Sequence, residues 1–94
     1  MQIFVTKRAE NQLDKIITYI ELNWGKGSVN QFIDKIDNIF LLLKSFPTMG
    51  QIEFNDIRGF QLTNQTKILY RIKENSIIIL AFFDVRQNPN NSLK

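Results

Sequence analysis

Lys67-Ile68-Leu69-Tyr70-Arg71-Ile72-Lys73, then Glu74-Asn75, then Ser76-Ile77-Ile78-Ile79-Leu80-Ala81-Phe82-Phe83: this run of the sequence decides the fold. Its first part alternates. Ile68, Tyr70 and Ile72 fall on one side of a strand, and Lys67, Leu69, Arg71 and Lys73 on the other. Glu74-Asn75 reads as a two-residue hairpin turn, because Asn75 tolerates positive φ. Ile77 to Phe83 is apolar without interruption, which fits a strand covered on both faces. A chain of 94 residues can cover one face with its own helices. Something else must help to cover the other.

Upstream of this hairpin the periods change. Gln2 to Val5 reads as a short strand, and Thr6 is placed to cap a helix. In that helix Ala9, Leu13, Ile16, Ile17, Ile20 and Trp24 recur at three- and four-residue spacing, and Gly25 stops it. Ser28 and Gln31 have the spacing of a capping box for a second helix, reached through Gly25-Lys26-Gly27. Val29, Phe32, Ile33, Ile36, Ile39, Phe40 and Leu43 form its apolar stripe, Leu41 falls off it, and Pro47 ends it. Ile52 to Phe54 is a brief extended piece, Ile57 to Leu62 a strand, and Thr63 to Thr66 a turn into Lys67. Gln87 to Ser92 is a polar tail expected to fray. The order β-α-α-β-β-β predicts an α+β fold, with an antiparallel helical hairpin on one face of a mostly antiparallel sheet. The core is expected to hold Leu13, Ile17, Ile20, Phe32, Ile36, Phe40, Ile68, Tyr70 and Ile79.

Composition narrows the chemistry. Residues 1–94 read as a single domain, 44% hydrophobic with eight Phe, which is a folding chain. There is no Cys and no His. That removes thiolate chemistry, the usual neutral-pH general base and the commonest metal ligands, so no metal and no cofactor is expected. No Gly-rich phosphate loop or pair of carboxylates on one element appears. No apolar run reaches the roughly 20 residues that span a bilayer, and no signal-type start precedes the first strand, so the expected place is the cytoplasm, away from membranes. The net charge of +3 permits an acidic partner or nucleic acid and demands neither.

What remains is a basic set on the sheet: Arg58, Lys67, Arg71, Lys73 and Arg86. Period two puts Lys67, Arg71 and Lys73 on the face away from the helices, with Leu69 among them. They are either ordinary solvated charges or the walls of a concave basic surface for an acidic peptide or a nucleic-acid backbone.

The ordered set Phe4, Thr6, Ala9, Leu13, Ile16, Tyr19, Ile20, Gly25, Phe32, Ile36, Leu43, Pro47, Gly50, Arg58 and Tyr70-Arg71-Ile72 resembles the RelE/ParE superfamily of type II toxin–antitoxin toxins, also called plasmid stabilisation proteins. Arg86-Gln87-Asn88-Pro89 is similar to the Arg-Gln-Asp-Pro ending of ParE-like members. The resemblance implies the same β-α-α-β-β-β fold. It implies an acidic antitoxin that wraps the toxin in a hetero-oligomer. It also implies one of two poisons: ribosome-dependent mRNA cleavage, or inhibition of DNA gyrase.

A RelE-like ribonuclease needs cations for the phosphoryl transition state and a group that moves protons. Here Arg86, Lys67 and Arg58 would be its catalytic residues. Yet Gln61 and Thr63 stand where lysines are expected, Asp84 stands where many relatives have His, and no Tyr or His follows Arg86. The sequence therefore favours a ParE-like toxin acting on gyrase over an enzyme. A ribonuclease and a non-toxic interaction module remain the other readings. An antitoxin segment is expected to cross the open sheet face and meet Leu69, Arg71, Lys73 and Arg86. Either Ile78, Leu80 and Phe82, or Ile77, Ile79, Ala81 and Phe83, are expected to face it.

Overall fold

The first strand of the chain pairs with the last. In the computed structural model, which describes residues 1–86, β1 (Gln2–Val5) runs parallel to β5 (Ser76–Asp84). Between them in sequence lie α1 (Lys7–Trp24), α2 (Lys26–Ser45), β2 (Gln51–Phe54), β3 (Ile57–Gln61) and β4 (Thr66–Lys73). The sheet order is β1-β5-β4-β3-β2, and every neighbour pair except β1–β5 is antiparallel. This is the expected α+β fold, with the brief extended piece at Gln51–Phe54 paired as an edge strand. The tail and the Gln87-Asn88-Pro89 part of the resemblance lie outside the described residues.

Local chemistry explains the helices. The Thr6 hydroxyl accepts from the Ala9 amide at 3.1 Å and caps α1. Gly25 ends it at φ 86°, a conformation that favours glycine. The same residue starts α2, so the link is Gly25 alone and not Gly25-Lys26-Gly27. Ser28 therefore lies inside α2, where its hydroxyl donates to the Trp24 carbonyl, and the expected capping box does not form. One left-handed residue reverses the chain before Ser28 is reached.

The core lies between the helical hairpin and one sheet face. Ala9, Ile16, Ile20, Phe32, Ile36 and Leu43 pack there against Ile68, Tyr70, Ile77, Ile79 and Phe82. Leu13, Ile17 and Phe40, expected in the core, are partly buried against its margin. Trp24, read onto the buried stripe of α1, is the last residue of that helix and is 55% exposed. Tyr70 does more than pack. Its hydroxyl donates to the Pro47 carbonyl at 2.8 Å and accepts from the Gly50 amide at 2.9 Å. A Cβ on Gly50 would lie 2.7 Å from that hydroxyl, so only glycine lets the loop come this close.

One irregularity resets the pattern of β5. Leu69 pairs with Ala81 and Tyr70 with Ile79, which leaves Leu80 as an extra residue. Its carbonyl accepts from the Thr6 hydroxyl, and the amide of Phe82, two residues on, donates to Gln12 Oε1 at 2.9 Å. The bulge shifts the alternation by one. Ile77, Ile79 and Phe82 face the helices, while Ile78, Ala81 and Phe83 pair with Arg71, Leu69 and Lys67 on the open face. Neither set expected from strict alternation is correct, since a period-two reading cannot count a bulged residue. In the β4–β5 turn the positive φ belongs to Glu74, at 55°, and not to Asn75. Of the two favoured two-residue hairpin turns, one needs positive φ at both central residues and the other only at the first, and this loop follows the second pattern.

Candidate functional site

The open sheet face carries Lys67, Leu69, Arg71 and Lys73, the positions that alternation assigns to it. It is less basic than their number suggests. Arg71 Nε and Nη2 donate to the two Asp56 oxygens, each at 3.0 Å. Those hydrogen bonds hold the Asp56 carboxyl below its ordinary pKa. Lys67 Nζ lies 3.2 Å from Glu53. Both carboxylates come from the β2–β3 edge, 14 and 15 residues upstream in sequence, so no local spacing reveals them. Between the ion pairs runs an apolar strip. Phe54, Leu69, Ala81, Phe83 and Val85 floor a groove of about 620 Å³, with Arg8, Gln12 and Gln65 at its rim. Phe4 continues the strip across β1, opposite Ile78, and is 52% exposed.

Two members of the basic set are elsewhere. Arg58 pairs with Tyr70 and so shares its side of the sheet. There its Nη1 donates to the carbonyls of Thr48 at 3.2 Å and Gly50 at 2.8 Å, which clamps the loop before β2. Arg86, expected to border the groove, follows the end of β5 and turns to the helical side. Its guanidinium lies 5.8 Å from the Tyr19 ring centre and 5.6 Å from that of Trp24. Arg86, Lys67 and Arg58 therefore do not come together around one point.

Arg86 is held by a carboxylate. Its Nε donates to Asp84 Oδ1 at 3.0 Å, its Nη2 to Oδ2 at 2.7 Å, and its amide to Oδ1 at 2.9 Å. The Thr66 hydroxyl also donates to Asp84, and both Thr66 and Asp84 are buried. Burial pushes the Asp84 carboxyl up. The hydrogen bonds from Arg86 and Thr66 outweigh it, so the net shift is downward. The same bond to Asp84 raises the Arg86 pKa. Asp84 is thus a buried partner of Arg86. The two-residue spacing of Asp84 and Arg86 across a strand end was the sequence signal for that pair. Trp24 gave none, because its helical spacing also suits a core residue.

Among the described residues no group of three His, Cys, Asp or Glu side chains could hold a metal ion, and no helix is long and apolar enough to cross a membrane.

Comparison with known proteins adds to this geometry. Residues 3–89 match a family model described as the ParE toxin of type II toxin-antitoxin system, parDE. The chain is 26% identical over 90 residues to Toxin ParE3 of Caulobacter vibrioides, across 93% of this chain and 89% of that one. Among solved structures it is similar to the chromosomal ParDE TA system from P. aeruginosa, with a TM-score of 0.75 at 20% identity, over 89% of this chain and 95% of that chain. It is also similar to the YoeB/ParE toxin from Agrobacterium tumefaciens, with a TM-score of 0.64 at 11% identity, over 89% of this chain and 98% of that chain. At such identities the structural likenesses speak to the fold alone.

Proposed function

The chain belongs to the ParE toxin family of type II toxin–antitoxin modules, and from that premise we propose that it arrests growth by inhibiting DNA gyrase in the cytoplasm, and that an acidic antitoxin neutralises it. The observation that carries the choice of target is the Asp84–Arg86 pair. Cutting RNA in line requires cations free to meet developing phosphate charge and a group that moves protons. Here the late arginine already has a carboxylate on two of its nitrogens, Lys67 faces Glu53, and the chain has no His. A carboxylate at that spot repels a phosphate. Inhibition by binding asks for none of this chemistry. It needs an apolar surface with oriented charges, and the open face supplies Leu69, Phe83 and Phe54 beside Arg71 and Lys73.

The same face is the proposed seat of the antitoxin. A segment with alternating apolar and acidic residues would bury the strip while its carboxylates compete for Arg71 and Lys73. Arg86 lies on the helical side, away from that strip.

Inducible expression without antitoxin tests the target. Supercoiling of a reporter plasmid is expected to fall while transcripts stay intact. Purified protein should inhibit supercoiling by purified gyrase. Specific cuts in mRNA in a translating extract, abolished by Arg86→Ala, would replace this reading with a RelE-like ribonuclease. Normal growth on expression would leave a non-toxic interaction module. Co-expressing candidate small acidic proteins from the same genome, one encoded next to the toxin first, is expected to restore growth with one of them, which identifies the antitoxin.

A further inference from the structure

A second cavity, of about 290 Å³, opens on the helical side, between the start of α2 and the β3–β4 turn. Trp24 and Phe32 form its apolar wall, and Gln31, Lys35, Gln65 and Arg86 its polar one. Its lining holds no Asp or Glu among the described residues. Trp24 is 55% exposed, although it makes an edge contact with Tyr19 at 5.8 Å and a cation–π contact with Arg86. A half-exposed tryptophan beside an arginine is the composition of a protein-binding hot spot. Gln65 lines this cavity and also the open-face groove, so the two meet at the β3–β4 turn.

We propose that this cavity takes one carboxylate-bearing side chain of an acidic peptide, from the same antitoxin chain that lies in the open-face groove and passes round the sheet end at Gln65. The inference rests on the antitoxin reading above. Charge selects the ligand. Asp84 already cancels Arg86, so Lys35 leaves the site with one net positive charge. A single carboxylate matches that. A doubly charged phosphate exceeds it and meets the buried carboxylate behind Arg86. The amides of Gln31 and Gln65 can complete the hydrogen bonds of one carboxylate, and an aliphatic neighbour in the peptide can cover Trp24.

The chain has one tryptophan, so its indole N–H gives one nuclear magnetic resonance signal that reports on the cavity. The experiment titrates full-length ¹⁵N-labelled toxin with the antitoxin defined by growth rescue, and compares wild type, Lys35→Glu and Arg71→Glu. The indole signal is expected to move on binding. Lys35→Glu, an exposed position, should weaken affinity about tenfold and abolish that movement, while Arg71→Glu weakens binding but leaves the indole movement in place. If the complex forms, the indole stays still and Lys35→Glu binds like wild type, the cavity proposal is wrong while the antitoxin reading stands. Movement produced by inorganic phosphate and not by antitoxin also overturns it. If no complex forms at micromolar concentrations, both fall.

Discussion

At the scale of single residues, the pair of Asp84 and Arg86 sets both chemistry and stability. Asp84 is a buried carboxylate whose folded pKa is lowered by its partners. A depressed carboxylate contributes stability that is present above its unfolded pKa, about 3.9, and is lost as pH falls through the lower folded value. Asp84→Asn is expected to cost about 1.5–3 kcal/mol at neutral pH, the range for losing a charged hydrogen-bond partner. The gap to wild type should hold down to about pH 5 and close below about pH 4. Urea melts of both proteins across that range check it, and a gap unchanged at pH 3 would mean that the fold does not hold the Asp84 carboxyl below its unfolded pKa. The pair was only half legible beforehand. Sequence placed an acid two residues before an arginine. It could not show that the chain turns after β5 and lays Arg86 against Tyr19 and Trp24, since these rings lie more than 60 residues upstream.

At the scale of elements, regular periods were readable and single-residue events were not. The apolar stripe of α2 was visible at its three- and four-residue spacing, and Phe32, Ile36 and Leu43 are buried on it. Ile36→Ala should cost roughly 2–5 kcal/mol in chemical denaturation, as a large-to-small change in a packed core does. A loss under about 0.5 kcal/mol would mean that Ile36 is not packed in that core. The extra Leu80 in β5 defeats any alternating template, and so does the reversal at Gly25. The bulge has its own support in Gln12, whose side chain accepts from the displaced Phe82 amide. Gln12→Ala is expected to cost about 1–3 kcal/mol, because a half-buried backbone donor loses its partner. Hydrogen exchange at the Phe82 amide should quicken more than at Ile79. Equal protection in wild type and variant would mean that the bulge holds without Gln12.

At the scale of the whole molecule, two surfaces at opposite faces of one sheet meet at its end, and charge across the chain decides how a partner approaches. The ion pairs that blunt the open face are long-range contacts, so the face is less basic than the spacing of its cations implies. Arg71→Glu places a second carboxylate beside Asp56 and removes a cation. Association with the antitoxin should slow several-fold, with a flatter dependence on salt, as expected when a rim charge steers encounter. Stopped-flow rates at low and high ionic strength measure this. An unchanged rate would mean that the partner does not cross Arg71.

The parallel pairing of β1 with β5 also has a consequence in time. Gln2 finds its place opposite Ser76, and Val5 opposite Ile79, so the first strand made waits for the last described one. At the synthesis rate of about 5–20 residues per second, the N-terminal segment spends seconds on the ribosome without its neighbour. The helical hairpin can form early, because its contacts are local. Strand β5, whose Ala81 and Phe83 line the groove, is the last of the described strands to be made. The open face therefore cannot close before Ser76–Asp84 has left the ribosome, and any partner that reads the finished sheet must wait for that strand.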